Sequence, residues 1–346
     1  MTFLSHMLTD KEIDFLRKEL ETAKNPLFIH DDDADGLASF LLLYRINREG
    51  RGISPKTGRL DENFVQKVLE INPDKIFVLD IPVMGQDFVN AVNRPIFWID
   101  HHSPIELKKV HYYNPRIKNP DAYIPTSRMA WQVSQNEDDL WIATTGCLAD
   151  WHLPDFINEF VKKYPHLLPE KKDLVDAVYK QPVGKLVKMF FFLLKGPTSE
   201  VRKSVKILTR IKSPDEIIKQ ESAPGKFLWK RFLKINERYE VLLKDAKTAV
   251  TKEKVLVYYY GEQQWSFTAN LANELTQLYP KKVVIICRRK GGEMKCSLRG
   301  ENVLEPLQKA LVGIAGRGGG HPNACGAVIK EQDWKDFLHQ FEDALK

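Results

Sequence analysis

Three short apolar runs, "PLFIH" (26–30), "KIFVLD" (75–80) and "PIFWID" (95–100), are each followed by a polar turn and then an amphipathic stretch. Few folds are open to a chain that alternates in this way. Strands of continuous apolar character must be covered on both faces. The pattern over about 26–150 therefore predicts a mostly parallel sheet with flanking helices near 36–48, 61–71, 85–93, 127–135 and 139–150. In such sheets, sites form beyond the carboxyl ends of the strands.

Residues 155–220 read as mainly helical, punctuated by Pro165, Pro169, Pro182, Pro197 and Pro214. Within them "VGKLVKMFFFLLKG" is interrupted by Lys185 and Lys188, so it reads as a core helix and no segment reaches membrane-spanning length. A long helix is expected to connect the domains over 222–250, followed by a smaller α/β domain with a mixed sheet over 251–346. That second pattern runs strand "KVLVYYY", helix "TANLANELTQLYP", strand "KKVVIICRRK", hairpin partner "EMKCSLRG", helix, glycine loop, strand "GAVIK" and a final helix. The first domain then spans 1–221, with 151–221 as its helical extension, and two domains suit 346 residues. The N-terminal segment reads as an amphipathic helix opened by Thr9 or Asp10, without an apolar signal core. The four cysteines have no Cys-x-x-Cys spacing and read as reduced thiols, which places the chain in the cytoplasm.

Four acids, Asp31, Asp32, Asp33 and Asp35, follow the first strand within five positions. Like charges this close repel unless a cation or a solvated turn absorbs the field. If the strand stays extended through Asp35, alternation puts Asp31, Asp33 and Asp35 on one side and Asp32 and Ala34 on the other. Gly36 then permits the turn into a helix whose Leu37, Phe40, Leu41 and Tyr44 pack back on the sheet. Taken alone, such a turn ahead of a helix is more often just a cap. The second strand, however, ends in Asp80, the third in Asp100, His101 and His102, and the apolar helix "TTGCLADWH" supplies Asp150 and His152. Carboxylate and imidazole donors without a thiolate suit manganese or magnesium better than structural zinc.

The ordered set "DDDADG", "LD", "DHH" and "LAD" resembles the four motifs of the DHH phosphoesterase superfamily. That superfamily includes RecJ-type exonucleases, nano-RNases, cyclic-dinucleotide phosphodiesterases and manganese pyrophosphatases. Further on, "GRGGGHPNACGAVI" resembles the glycine-rich motif of the DHH-associated substrate-binding domain, with "ANLANEL" and "SLRG" as weaker companions. The resemblance covers about 26–151 and 250–330 and leaves the helical middle uncovered. It implies two divalent ions, Mn²⁺ preferred and Mg²⁺ as substitute. Asp33 and Asp35 would each bind one, Asp80 would bridge them, and His101 and Asp150 would complete the second. Asp100 would orient the imidazole, and His102 would face the phosphate. Some branches place a His four residues before the paired acids, whereas RecJ-like members use an acid two before. Asp31 fits the latter spacing and is taken as a ligand; His30 stands three before Asp33 and is the weaker candidate. In the second domain Arg299, Arg317, Gly318, Gly319, Gly320 and His321 would bind substrate, the glycines letting backbone N–H groups close on a phosphate.

Two ions about 3.5–4 Å apart can clamp the attacking and leaving oxygens of an in-line displacement at phosphorus, so no protein nucleophile is needed. No Ser stands in a G-x-S-x-G setting, and "GRGGG" lacks the G-K-[ST] of a P-loop. Net charge is +6, but residues 151–250 hold 21 Lys and Arg against 12 Asp and Glu, or +9, leaving −3 elsewhere. That middle is either a track for a polyanion or a set of solvated helix faces. Its aromatics Phe227, Trp229, Phe232 and Tyr239 either stack bases or form core. Together these features predict a manganese-dependent exonuclease trimming single-stranded DNA or RNA, or short oligonucleotides, to mononucleotides in a DNA-repair setting. The alternatives are a phosphatase or phosphodiesterase for small nucleotides (a cyclic dinucleotide or a 3′-phosphoadenylate) and a non-catalytic scaffold with replication or repair partners.

Overall fold

The structure is a computed structural model and describes residues 7–55, 58–170 and 173–346. The chain divides into two compact units, Met1–Phe232 and Leu233–Lys346, and the division falls inside one long helix.

In the first unit, helix α1 (Asp10–Glu21) opens on Thr9, whose hydroxyl accepts from the Glu12 amide while the Glu12 carboxylate accepts from the Thr9 amide. Strand β1 (Leu27–His30) and helix α2 (Ala34–Asn47) follow, then β2 (Arg51–Ile53), β3 (Arg59–Leu60), α3 (Glu62–Ile71), β4 (Ile76–Leu79), β5 (Val83–Met84), α4 (Gln86–Val92), β6 (Ile96–Ile99) and β7 (His111–Tyr113). The main sheet has the order β2-β1-β4-β6-β7, with every pairing parallel; β3 and β5 form a two-stranded parallel pair of their own. All residues of β1, β4 and β6 are buried, as a parallel sheet covered on both faces requires. Phe28 stacks on Phe77 and Phe77 on Phe97 across these strands, each side chain contributing about 2–3 kcal/mol by leaving water.

Helices α5 (Thr126–Ser134) and α6 (Leu140–Ala149) pack on α2. Gly146 makes this possible: a Cβ there would lie 2.5 Å from the Ala38 Cβ and 2.6 Å from the Ser127 Oγ. The helical extension is α7 (Ile157–Lys163), α8 (Leu174–Tyr179), α9 (Val183–Leu193), α10 (Thr198–Leu208) and α11 (Pro214–Ile218), leading into α12 (Ala223–Thr248). In α9, Lys185 is exposed and Lys188 half-buried while the apolar side chains fill the core. Among the described residues no helix is long and apolar enough to cross a membrane. The aromatics of the basic middle are drawn into packing. Phe232 and Tyr239 are buried, half-buried Trp229 lies 5.4 Å from Phe232, and Lys203 covers the ring of Phe227.

The second unit is a mixed sheet of order β11-β12-β10-β9-β8, built from β8 (Val255–Tyr260), β9 (Val283–Lys290), β10 (Glu293–Arg299), β11 (Gly316–His321) and β12 (Ala324–Lys330). Only β8 pairs in parallel. Helices α13 (Thr268–Leu278), α14 (Leu304–Ala310) and α15 (Trp334–Ala344) complete it.

Two expectations are corrected in this unit. The glycine segment is not a loop but the edge strand β11. Gly318 and Gly320 fit there because a Cβ would come within 2.9 Å of the Gly326 carbonyl oxygen and 2.4 Å of that of Ala324. The cysteines are not all free, since Cys287 and Cys296 form a disulfide. The turn Gly291–Gly292, both at positive φ, fixes the register that sets them directly opposite, with Cα atoms 4.1 Å apart. Cys147 and Cys325 are buried free thiols.

Candidate metal centre

The carboxyl ends of β1, β4 and β6 deliver acids and imidazoles to one place, but the first motif arrives differently from the extended strand expected of it. Strand β1 stops at His30, and Asp33 caps α2, its Oδ1 accepting from the Gly36 amide at 2.9 Å. Cap preference for Asp thus overrides strand alternation. Gly36 is needed for this turn, because a Cβ would stand 2.7 Å from the Asp31 amide nitrogen. Asp35 lies in the first turn of α2, buried, with its two oxygens accepting from the amides of Thr126 (2.8 Å) and Ser127 (3.0 Å) at the start of α5.

Asp80 ends β4 in the left-handed region, at φ 62°, a conformation that non-glycine residues hold mostly where the surroundings impose it. Its amide donates to the Ile99 carbonyl at 3.0 Å, and its Oδ1 accepts from the Thr126 hydroxyl at 3.1 Å. Past β6, His101 points its Nε2 at Asp80 Oδ1 (3.3 Å) and its Nδ1 at Asp150 Oδ2 (3.6 Å). That Nδ1 is buried without a hydrogen-bond partner. Asp150 stands at the C-terminal end of α6, where the helix dipole opposes a negative charge, and Tyr123 donates to its Oδ2 at 2.9 Å.

The buried Asp100 holds an imidazole, but that of His102 rather than His101. Its Oδ1 is 2.7 Å from His102 Nδ1, and its Oδ2 accepts from the His102 amide, the Tyr112 hydroxyl and the Asn114 amide group. His30 is turned away: its Nδ1 is 2.8 Å from the Asp31 carbonyl oxygen and its ring stacks on Phe40. His152 is buried beside Arg128, and burial with that guanidinium pulls its imidazole down to about 4.

Three donor groups result, each with ligand atoms within 4.8 Å of one another: Asp31, Asp33 and Asp80; Asp80, His101 and His102; and Asp35, His101 and Asp150. Asp80 and His101 are each shared by two. Burial, reinforced by the neighbouring carboxylates, pushes Asp31, Asp35 and Asp150 up to about 7 and Asp80 well above the usual carboxylate range. Burial lowers the pKa of His101 and so favours its neutral form. Burial opposes charge on His102 too, but the hydrogen bond and charge of Asp100 prevail and raise it. A buried nest of acids around an unpartnered imidazole nitrogen fits divalent cations, with carboxylates and a neutral imidazole as donors.

Thr126, Ser127 and Tyr123, which fix Asp80, Asp35 and Asp150, were not legible as site residues. They act through hydroxyls and backbone amides that only the fold brings near; the pattern "PTS" at a helix start was the available signal. In the second unit Arg299 and His321 are both in register with Ala324, so the ends of β10, β12 and β11 gather them at one edge with Gly320. Arg299 donates to the Asn273 side chain (2.6 Å) and the Leu298 carbonyl (2.9 Å), whereas Arg317 and His321 are exposed.

Residues 252–346 match the family model of the DHHA1 domain. No curated protein matches the chain in sequence. Among solved structures, RecJ in complex with Mn²⁺ from Thermus thermophilus superposes on 96% of this chain with TM-score 0.67 and 15% identity. The match takes in 53% of that protein, so this chain spans about half its length. A manganese-bound exonuclease RecJ matches 100% of this chain and 96% of its own, with TM-score 0.62 and 16% identity. A DHH domain described as belonging to a family of ribosomal proteins matches 99% of this chain and 91% of its own, with TM-score 0.69 and 12% identity. At these identities the likeness is one of fold.

Proposed function

We propose that this chain, which has the fold of the DHH superfamily and carries a DHHA1 domain, is a metal-dependent phosphodiesterase that removes mononucleotides from one end of single-stranded nucleic acid or short oligonucleotides. The observation that carries this reading is the convergence of three donor groups on Asp80 and His101. Asp31 and Asp33 would hold one divalent ion and Asp35, His101 and Asp150 another, with Asp80 between them. When bound, such ions supply Lewis acidity and lower the pKa of water, Mn²⁺ and Mg²⁺ both suiting the donors.

The chain's own groups do the positioning. Thr126 fixes the Asp80 carboxylate, two backbone amides fix Asp35, and Tyr123 fixes Asp150. Asp100 orients His102 and favours its charged form, a donor suited to a phosphate oxygen. Arg317 and His321 on an exposed edge strand, with Gly318, Gly319 and Gly320 and with Arg299, would bind the substrate's terminal nucleotide. A cytoplasmic location and replication or repair partners belong to this same proposal. The disulfide withdraws the support that four free thiols would have given to that location.

A single strand of roughly 20 nucleotides, labelled at either end and incubated with Mn²⁺, should shorten from one end with release of mononucleotides. Hydrolysis of dinucleotides or 3′-phosphoadenylate without action on the strand would establish the small-nucleotide reading instead. Inertness toward all of them would establish the scaffold.

A further inference from the structure

Behind the acidic loop lies a cavity of about 670 Å³, walled by α3, β2 and α10 of the first unit. Its volume is that of a small-ligand site. One wall is aromatic: half-buried Tyr44 lies 5.4 Å from Phe40 with the ring planes at 42°, and behind it the buried His30 and Phe40 stack with centroids 5.2 Å apart. Its rim is cationic. Arg51, Lys67, Arg202 and Lys206 line it, and Glu70 is the one acid among the described lining residues. None of these four cations is in an ion pair among the described residues. Lys67 and Arg202 come from different helices yet interact: burial and the Arg202 charge together hold the Lys67 amine below its ordinary value. Four cations gathered from separate elements against a single acid call for an anion, and the half-buried Tyr44 ring beside them suits a planar ring.

We propose that this cavity binds a free nucleotide, its base against the half-buried Tyr44 ring and its phosphates among Lys67, Arg202 and Lys206. The site is distinct from the metal centre. Asp31, Asp33 and Asp80 form one donor group and none of them lines the cavity, which His30 and Ser54 do. It touches the same loop, however, through Ser54 Oγ, which donates to Asp32 Oδ1 at 3.3 Å, and through His30 beside the Asp31 carbonyl. Metal plays no part in this binding, so it stands or falls separately from the hydrolase reading.

Calorimetric titration of the full chain with ATP in EDTA should give saturable binding at one site per chain. The Lys67→Ala/Arg202→Ala double variant should weaken it at least about tenfold. The single Arg202→Glu variant, at an exposed position, should weaken it similarly with an unchanged melting temperature. Titrations with pyrophosphate and with a short single-stranded oligonucleotide complete the set and should show weaker binding than ATP. Absence of saturable ATP binding, unaltered affinity in both variants, pyrophosphate binding as tightly as ATP, or binding of the oligonucleotide alone would each overturn the assignment.

Discussion

Asp80→Asn is expected to lower manganese-dependent release of mononucleotides by roughly a thousandfold or more, with the fold intact. The carboxylate belongs to two of the three donor groups and sits 3.3 Å from His101 and 3.1 Å from Thr126, so its loss disturbs the whole centre rather than one edge of it. Asparagine keeps the shape and tolerates the positive φ at this position, whereas alanine would add backbone strain to the lost charge. The variant also removes a buried carboxylate that four others repel. Its metal-free melting temperature should therefore equal or exceed that of the unaltered chain. Wild-type turnover in Asp80→Asn, checked with the end-labelled strand, would show that the centre has been built around the wrong residue.

Stripped of metal, the protein should lose stability as pH rises from about 6.5 to 8.5, its melting temperature falling by something on the order of 5 °C. Asp31, Asp35 and Asp150 titrate near 7 in the folded chain because burial and mutual repulsion favour the protonated acid, against about 4 when unfolded. A raised folded pKa means that the native state holds protons the unfolded state has already released. The associated stability is complete below the unfolded value and is lost as pH climbs through the folded one. The raised pKa of His102 acts in the same direction. His101 and His152, with lowered pKa values, act oppositely, but only below about 6.5, where the unfolded imidazole takes up its proton. Adding Mn²⁺ at the upper end of the window should recover the loss, since a ligand at about 100 times its Kd adds roughly 2.7 kcal/mol. Thermal melts in EDTA that are flat or rise with pH, or that ignore Mn²⁺, would contradict the electrostatics assigned to the cluster.

Much of this was legible in the chain. The runs ending at His30, Asp80 and Asp100 marked the three central strands because continuous burial leaves an unbroken apolar signature. Strands β2, β3, β5 and β7 escaped notice; two or three residues each, they are held by neighbours rather than by their own pattern. The first motif does not form the single extended edge expected of it: Asp31 and Asp33 share one donor group and Asp35 enters another, because a short-range hydrogen bond from the Gly36 amide to the Asp33 cap outweighs alternation. The glycine segment hid its strand because glycine is disfavoured in strands and its partner β12 supplies the pairing. The disulfide was readable after all, from two cysteines placed symmetrically about Gly291–Gly292.

Crystals soaked in Mn²⁺ and measured at the manganese absorption edge test the central claim directly. Two anomalous peaks are expected, one within coordinating distance of Asp31, Asp33 and Asp80 and the other of Asp35, His101 and Asp150, sharing Asp80. Peaks elsewhere on the chain, or none at this cluster at saturating manganese, would contradict a binuclear centre at the ends of β1, β4 and β6.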